Sequence, residues 1–255
     1  MIAWLLGFAF LGSCAAWPLS LLVGRRASGW LLALVPVSLF VAFLDFVPAI
    51  AGGRTISWRM AWAPSFGVDL ALRLDGFSFL FALLITGIGA LVVVYAGDYL
   101  SNESARSRAR FFTLILLFMT AMLGAVLSDN LLLLFLFWEA TSFLSFLLIG
   151  FHADSPHARR AALMSLRVTA GGGLALLAAV ILVGQALDSY LLSDVTARAD
   201  ELARSRWIVP IVIGVLIGAF TKSAQFPVHF WLPNAMQAPT PASAYLPSAT
   251  RVKLG

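Results

Sequence analysis

Charge is scarce in this sequence. Of its 255 residues, 11% are charged and 61% are hydrophobic, and the mean hydropathy is +0.94. A soluble domain usually carries about 25% charged residues and about 45–50% apolar ones. A globule of this size has too few charged side chains to cover so much apolar surface. The composition therefore excludes a soluble enzyme, a nucleic-acid-binding domain and a disordered chain, and it predicts a polytopic membrane protein.

Cysteine and histidine are also rare. The single cysteine, Cys14, excludes an internal disulfide and a cysteine-ligated cluster. The three histidines, His152, His157 and His229, are too few and too scattered for a haem or zinc site. The sequence also lacks a glycine-rich phosphate loop and a nucleophile–base motif. We therefore expect no cofactor and no metal, and a protein that is not itself an enzyme.

Long apolar runs account for most of the chain. A membrane-spanning helix needs about 20 consecutive apolar residues. Seven such runs and the beginning of an eighth cover 2–23, 29–51, 75–97, 111–128, 131–151, 163–187, 207–236 and 243–255. The first run has no basic segment before it and is too long for the core of a cleaved signal peptide, so we interpret it as a retained helix. We predict an all-α protein with about seven complete transmembrane helices and a partial eighth.

Arginines cluster in three loops that fall on the same side of the predicted bundle. These loops contain Arg25 and Arg26, then Arg106, Arg108 and Arg110, and finally Arg159 and Arg160. Basic residues accumulate in the cytoplasmic loops of membrane proteins. We therefore expect a multi-pass protein of the bacterial cell membrane, in contact with the lipid bilayer, with its N-terminus outside.

The segments between the runs differ in length. Only Ser128, Asp129 and Asn130 separate the fourth and fifth runs, which predicts a tight helical hairpin with Ser128 or Asp129 as the cap of the second helix. The tryptophan-containing loop 52–74 is typical of an interfacial segment. Segment 188–206 is interpreted as a short amphipathic helix on the surface.

Two local patterns predict packing and capping. Gly171, Gly172 and Gly173 lie within the sixth run, and small residues allow a neighbouring helix to approach closely. Asp75 opens the third run two residues after Arg73, which favours a helix cap with a local ion pair.

Ionisable residues inside apolar runs give the strongest functional signal. Such a group costs at least about 2.5–3.5 kcal/mol at a helix centre unless it meets a partner or water. Glu139 lies nine residues after Asn130, about 13 Å into a hydrocarbon core of about 30 Å. One interpretation is a structural carboxylate that caps a backbone or pairs with an arginine. We favour the other, a carboxylate that binds a proton or is the counter-ion of a buried base.

Lys222 is the second ionisable residue at membrane depth. It lies about 22 Å along the helix that begins at Trp207, too deep for its side chain to reach the outer surface easily. Pro227 follows five residues later, and because proline lacks an N–H and crowds the preceding turn, we predict a helix break beside Lys222. Broken helices at this depth must face protein or water. We expect a proton site, the alternative being a lysine that reaches the cytoplasmic interface.

His229 and Lys253 extend this set. His229 follows Lys222 by seven residues and is either a carrier that passes protons onward or a structural histidine. Lys253 lies near the last residue and is either a second buried base or part of a basic terminus with Arg251. The candidate proton-translocating residues are Glu139, Lys222, Lys253 and His229, with Pro227 at the helix break.

Three segments resemble a known family. They are RLDGFSFLF at 73–81, LSDNLLLLFLFWEATSFLSFLLIGF at 127–151 and GAFTKSAQFPVHFWLPNAMQAPTPASAYL at 218–246. They are similar to the proton-conducting antiporter-like subunits shared by respiratory complex I and Mrp-type monovalent cation/proton antiporters, and the second and third look closest to the large Mrp A subunit. The resemblance covers most of residues 70–250, whereas the first two helices are generic.

The resemblance implies a fold and residue roles. The fold consists of two inverted five-helix repeats, each with one broken helix. We therefore assign 1–110 to N-terminal helices with an interfacial loop, and 111–255 to the first repeat of the proton-conducting domain. In that family a fifth-helix glutamate pairs with a lysine of the broken seventh helix, and these match Glu139 and Lys222. Lys253 matches an eighth-helix lysine that passes protons toward the centre.

The eighth predicted helix departs from the family pattern. Pro247, Arg251 and Leu254 stand where relatives usually have histidine, methionine and alanine. The missing histidine is a candidate proton relay, so a complete pathway is not predicted. About 13 residues of this helix give about 20 Å of rise, too short to cross a membrane. We expect an N-terminal fragment or a truncated product.

Three functional hypotheses follow from these observations. The first is half of a proton pathway in a Na⁺/H⁺ antiporter subunit, which uses a buried Glu–Lys pair and assembles with other membrane subunits. The second is a proton-pumping membrane subunit of an NADH–quinone or hydrogenase-type redox complex. The third is a truncated fragment or an assembly scaffold that transports nothing. Coupling to Na⁺ is implied only by the resemblance.

Overall fold

The chain forms a helical bundle. The computed structural model describes residues 1–63 and 68–246, without the side chains of residues 25 and 26. In chain order the elements are α1 (Ile2–Leu22), α2 (Arg25–Leu44), α3 (Val47–Ala51), β1 (Ile56–Ala63), β2 (Val68–Leu74), α4 (Gly76–Tyr99), α5 (Ala105–Leu127), α6 (Leu131–Ile149), α7 (Pro156–Leu187), α8 (Leu192–Ala197), α9 (Ala199–Ala203), α10 (Ile208–Lys222), α11 (Trp231–Ala235) and α12 (Thr240–Tyr245).

Six of these helices, α1, α2, α4, α5, α6 and α7, are long and apolar enough to cross a membrane. The predicted polytopic helical fold is confirmed, but the predicted span 207–236 is not one helix. It is divided into α10, which has 15 residues, a turn, and the short α11. The predicted eighth run begins within α12, and its residues from 247 onward lie outside the described part of the chain. The exact number of spans stays a prediction.

The most enclosed helix is α5. It packs between α1 and α6, while α2 covers α4, α7 lies against α6, and α10 packs chiefly against α7. Phe111, Phe112 and Phe118 of α5 are fully buried in the main apolar core. A hydrogen bond of 3.0 Å joins the hydroxyls of Ser13 on α1 and Thr120 on α5. This order of neighbours places α6 and α7 beside the end of α10.

Within 52–74, β1 and β2 form a two-stranded β-hairpin, which the sequence did not predict. β1 and β2 pair antiparallel, with Ile56 opposite Leu74 and Trp58 opposite Leu72. The hairpin presents Leu72 and Leu74 to the core, whereas most of β1 is exposed. The strands are short and neither has a regular alternation of buried and exposed residues, so the sequence carries no period-two signal for them.

The junction between α5 and α6 is fixed from both sides. The Asp129 amide donates to the carbonyl of Ala71 on β2 at 2.8 Å, and the Asp129 carbonyl accepts from Leu192 at the start of α8 at 2.6 Å. The Asp129 carboxylate accepts from the Ser193 amide at 3.1 Å and from its hydroxyl at 2.8 Å. Segment 188–206, predicted as one short surface helix, is two, α8 and α9.

The predicted cap of α6 is wrong. Asn130 is the N-cap residue, and its Oδ1 accepts from the amides of Leu132 at 2.9 Å and Leu133 at 3.2 Å. Ser128 instead ends α5, and Asp129 is bonded to α8. All three residues are good caps in isolation, so tertiary contacts decide which one serves.

The predicted cap of α4 is confirmed. Asp75 Oδ1 accepts from the Ser78 amide at 3.0 Å, and the Asp75 amide donates to the Ser78 hydroxyl at 2.8 Å. Arg73 Nε lies 3.4 Å from Asp75 Oδ2. Partial burial raises the pKa of the Asp75 carboxyl, but the hydrogen bonds from Ser78 and the charge of Arg73 outweigh it and leave that pKa below its ordinary value.

We predict that Asp75→Ala lowers the free energy of unfolding by about 1 kcal/mol at neutral pH, because α4 loses its N-cap. The lowered pKa means that this stabilisation is present above the pKa of the unfolded chain and disappears as the pH falls through the lower folded value. Thermal unfolding of the purified protein in detergent at neutral and acidic pH measures both effects. Asp154→Ala, in an exposed loop, is the control. An equal loss at both pH values would contradict the assignment.

Candidate functional site

Helix α10 ends at Lys222 in the interior of the bundle. Ser223 is its C-cap residue, and Ala224 has a positive φ of 51°. The Gln225 amide donates to the Phe220 carbonyl at 2.9 Å, the pattern of a Schellman motif. The helix end predicted beside Lys222 is therefore present, but the reversal at Ala224 produces it. Pro227 lies beyond this turn and removes no hydrogen bond from α10.

The ammonium group of Lys222 is held by helix α6. The side chain is fully buried, and Nζ donates to the Trp138 carbonyl at 2.8 Å, to Thr141 Oγ1 at 2.6 Å and to Ser142 Oγ at 2.9 Å. A lysine ammonium has three donors, so these acceptors satisfy all of them. Nζ also lies 4.8 Å from the centroid of the Trp138 ring, within the range of a cation–π contact. Lys222 thus points inward and does not extend to the membrane surface.

Glu139 lies in the same turn of α6 as these acceptors. Its carboxyl group packs against Gly173 of α7, where an added β-carbon would lie 2.8 Å from Glu139 Cδ and still closer to Oε1. Next to it, a β-carbon on Gly172 would lie 2.7 Å from the β-carbon of Thr221, the residue before Lys222. Two adjacent glycines of α7 therefore contact the glutamate-bearing turn of α6 and the lysine-bearing end of α10.

The predicted close approach at the glycine triplet is confirmed for these two positions. Gly171 differs, because nothing lies within 4 Å of the place where its β-carbon would stand. The sequence analysis missed two matching glycines on α10. Gly214 would meet the Ala175 carbonyl at 2.7 Å, and Gly218 would meet the β-carbon of Leu176 at 2.9 Å. Their four-residue spacing is the small-xxx-small pattern that signals close helix packing.

Two tryptophans enclose the site. Trp231 of α11 is 1% exposed, and its Nε1 donates to the Thr221 carbonyl at 2.9 Å. This bond satisfies a carbonyl that the end of α10 leaves without a partner in its own helix. Trp138 packs against Leu176 and Val180 of α7. Two buried tryptophan side chains thus pack around the end of α10.

Another predicted site residue, His229, lies outside this cluster. His229 is exposed, and its ring stacks on Phe226 with the centroids 6.0 Å apart. Lys253 lies outside the described residues, as do Pro247, Arg251 and Leu254. The structure thus assembles Lys222 with Thr141 and Ser142, which the sequence analysis did not select as site residues. The sequence offered one signal for them: Thr141 and Ser142 follow Trp138 by three and four residues, which places them on the same face of a helix.

We predict that Gly173→Ala destabilises the protein by about 1–3 kcal/mol through overpacking, because its methyl group would collide with the Glu139 carboxyl. Gly171→Ala is the matched control on the same helix, since its methyl group enters open space. Thermal unfolding in detergent compares the two variants. The contact between Gly173 and the Glu139 carboxyl would be contradicted if Gly173→Ala unfolded at the same temperature as Gly171→Ala.

The sequence matches two models of protein families. Residues 128–255 match the transmembrane family described as NADH:quinone oxidoreductase/Mrp antiporter. Residues 58–112 match the N-terminus of chain 5 of NADH–ubiquinone oxidoreductase, complex I. The first match covers the α5–α6 junction, α6, α7 and α10, the elements that form the lysine site.

Individual relatives of the chain support the same family. The A/B subunit of a probable K⁺/H⁺ antiporter from Rhizobium meliloti is 47% identical over 91% of this chain and 23% of its own length. The A1 subunit of a Na⁺/H⁺ antiporter from Staphylococcus haemolyticus is 48% identical over 89% of this chain and 28% of its own length. The chain therefore spans about a quarter of the length of these curated relatives.

Solved structures share the fold. A chain of the Mrp complex from Dietzia sp. DQ12-45-1b superposes with a TM-score of 0.89 and 34% identity, over 99% of this chain and 27% of that one. A chain of an archaeal membrane-bound sulfane sulfur reductase superposes with a TM-score of 0.81 at 20% identity, over 98% of this chain and 38% of that one, a likeness of fold alone. The resemblance found in the sequence is confirmed, and the chain belongs to the NADH:quinone oxidoreductase/Mrp antiporter family of membrane proteins.

Proposed function

We propose that this chain carries half of a proton pathway in a monovalent cation/proton antiporter subunit, with Glu139 and Lys222 as its proton-binding pair. One observation carries the proposal. Lys222 is fully buried, and its ammonium is bonded to the turn of α6 that contains Glu139. Ionisable groups at membrane depth are costly and mark ion pathways. Membership of the antiporter family supports the same class of function.

The chemistry follows from charge in a poorly screened site. A carboxylate a few ångströms from an ammonium in a low-dielectric interior interacts with it far more strongly than in water. When Glu139 takes up a proton, its charge disappears and the attraction on Lys222 weakens. Lys222 can then release its proton to the next carrier, and the pair acts as an electrostatic gate. We assign the onward steps to Lys253 and His229, as the resemblance and the spacing suggest.

The proposal extends to the cation, the partners and the orientation. Staphylococcal relatives are named Na⁺/H⁺ antiporter subunits, and the rhizobial relative is named a probable K⁺/H⁺ antiporter subunit. We infer Na⁺ as the exchanged cation and other membrane subunits as partners, as in the Mrp complex that shares the fold. The arginine-rich loops support a cytoplasmic location for the ends of α1, α4 and α6, and so an N-terminus outside.

We predict that Glu139→Gln and Lys222→Ala each reduce cation-dependent proton movement by more than about tenfold, because each removes a group that carries or controls the proton. The measurement is the pH change on addition of Na⁺ or K⁺ to everted vesicles that contain the chain within its complete antiporter. Glu201→Gln is the control, since Glu201 forms an exposed ion pair with Arg198. Unchanged transport in both site variants would refute the proposal.

A redox-complex subunit is the second candidate. The description of the matching family includes NADH:quinone oxidoreductase, and the fold is shared with an archaeal respiratory complex. Purification of the assembled complex separates the candidates. Iron–sulfur or flavin subunits in that complex would favour the redox assignment, whereas membrane subunits alone would favour the antiporter.

A further inference from the structure

The acceptors around Lys222 are arranged by a second layer of hydrogen bonds. Thr141 Oγ1 donates to the Trp138 carbonyl at 2.7 Å, and Ser142 Oγ donates to the same carbonyl at 3.3 Å. Each hydroxyl proton is therefore directed at Trp138, and the lone pairs of both hydroxyls are turned toward Lys222 Nζ. Both side chains are fully buried, so bulk solvent does not reach these positions.

This arrangement matches an ammonium and not a neutral amine. An ammonium has three N–H donors, and Nζ faces three acceptors at 2.6–2.9 Å. A neutral amine has only two donors and a lone pair. With a neutral amine, one hydroxyl would have to turn its proton from the Trp138 carbonyl to the amine lone pair, so the two protonation states differ in their hydrogen-bond pattern. The Trp138 carbonyl, Thr141 and Ser142 thus form a cage for the charged form of Lys222.

We propose that Thr141 and Ser142 are positioning residues for Lys222, which hold its ammonium in a fixed place beside the Glu139 turn. This inference rests on the proposed function in assigning the proton to Lys222. The two hydroxyls act through Lys222, because each accepts a hydrogen bond from Nζ and donates to the Trp138 carbonyl of its own helix.

A double-mutant cycle on stability tests the cage without measuring transport. The four proteins are the unaltered chain, Thr141→Val, Lys222→Met and the double variant, each in its full assembly. Valine keeps the shape of threonine and removes the hydroxyl. We expect Thr141→Val to lower the unfolding temperature when Lys222 is present, and to lower it less with Lys222→Met, where only the bond from Thr141 to the Trp138 carbonyl is lost, because contacting residues are coupled. The same loss in both backgrounds would overturn the proposal.

Transport by conservative variants is the second test. We expect Thr141→Val and Ser142→Ala to reduce the rate of cation-dependent proton movement about tenfold or more, since each removes a hydrogen bond to a charged group. Thr141→Ser keeps the hydroxyl and should restore most of the rate. A merely structural role for the threonine methyl group predicts the reverse, namely that valine preserves transport and serine impairs it.

Thr86→Val is the matched control. Thr86 is also fully buried in a long helix, and its hydroxyl also donates to a carbonyl of its own helix, that of Ala82 at 2.7 Å. It lies on α4, away from the lysine, so its replacement should leave transport unchanged. All variants are compared at equal abundance in the membrane, which separates a lower rate from poor assembly.

The outcomes distinguish failure of the cage from failure of the proposed function. If Glu139→Gln and Lys222→Ala abolish transport while Thr141→Val and Ser142→Ala leave it intact, the cage is refuted and the proposed function stands. If the stability cycle shows coupling but Lys222→Ala transports normally, the cage stands as a structural feature and its role in transport is refuted.

Discussion

The structure depends on one buried charge and on the three oxygen atoms that accept its hydrogen bonds. An ammonium placed in an apolar bundle is tolerated only where it is fully bonded. Lys222 meets this condition through three hydrogen bonds to helix α6. The end of α10 must therefore lie within hydrogen-bond distance of α6, and this requirement determines how α6, α7 and α10 pack together.

Small residues make that proximity possible. α7 presents Gly172 to Thr221 and Gly173 to Glu139, while α10 presents Gly214 and Gly218 to α7. Any side chain at these positions would separate the helices and stretch the contacts of Lys222. The backbone also takes part in the site, because the Trp138 carbonyl accepts one of the three hydrogen bonds from Lys222. The polar residues and the glycines thus act together to hold α6, α7 and α10 close to one another.

The sequence was sufficient to predict the helical membrane fold and the burial of Lys222, because hydropathy and the cost of a buried charge are local properties. It was insufficient for Thr141 and Ser142. Serine and threonine in helices commonly bond to their own backbone, and only the fold shows that these two also face the lysine. The sequence also failed to predict the hairpin within 52–74 and the use of Asn130 as the cap of α6. Contacts between segments that are distant in the sequence decide both features.

The three bonds of Lys222 have one donor atom in common, and all three acceptors belong to one helical turn. A displacement of about 1 Å between α10 and α6 would exceed the tolerance of hydrogen-bond geometry for all of them together. If these helices move relative to each other, the three hydrogen bonds of Lys222 to α6 are therefore lost or kept together. Movement of the α10 end and the hydrogen bonding of Lys222 are therefore coupled through that shared nitrogen.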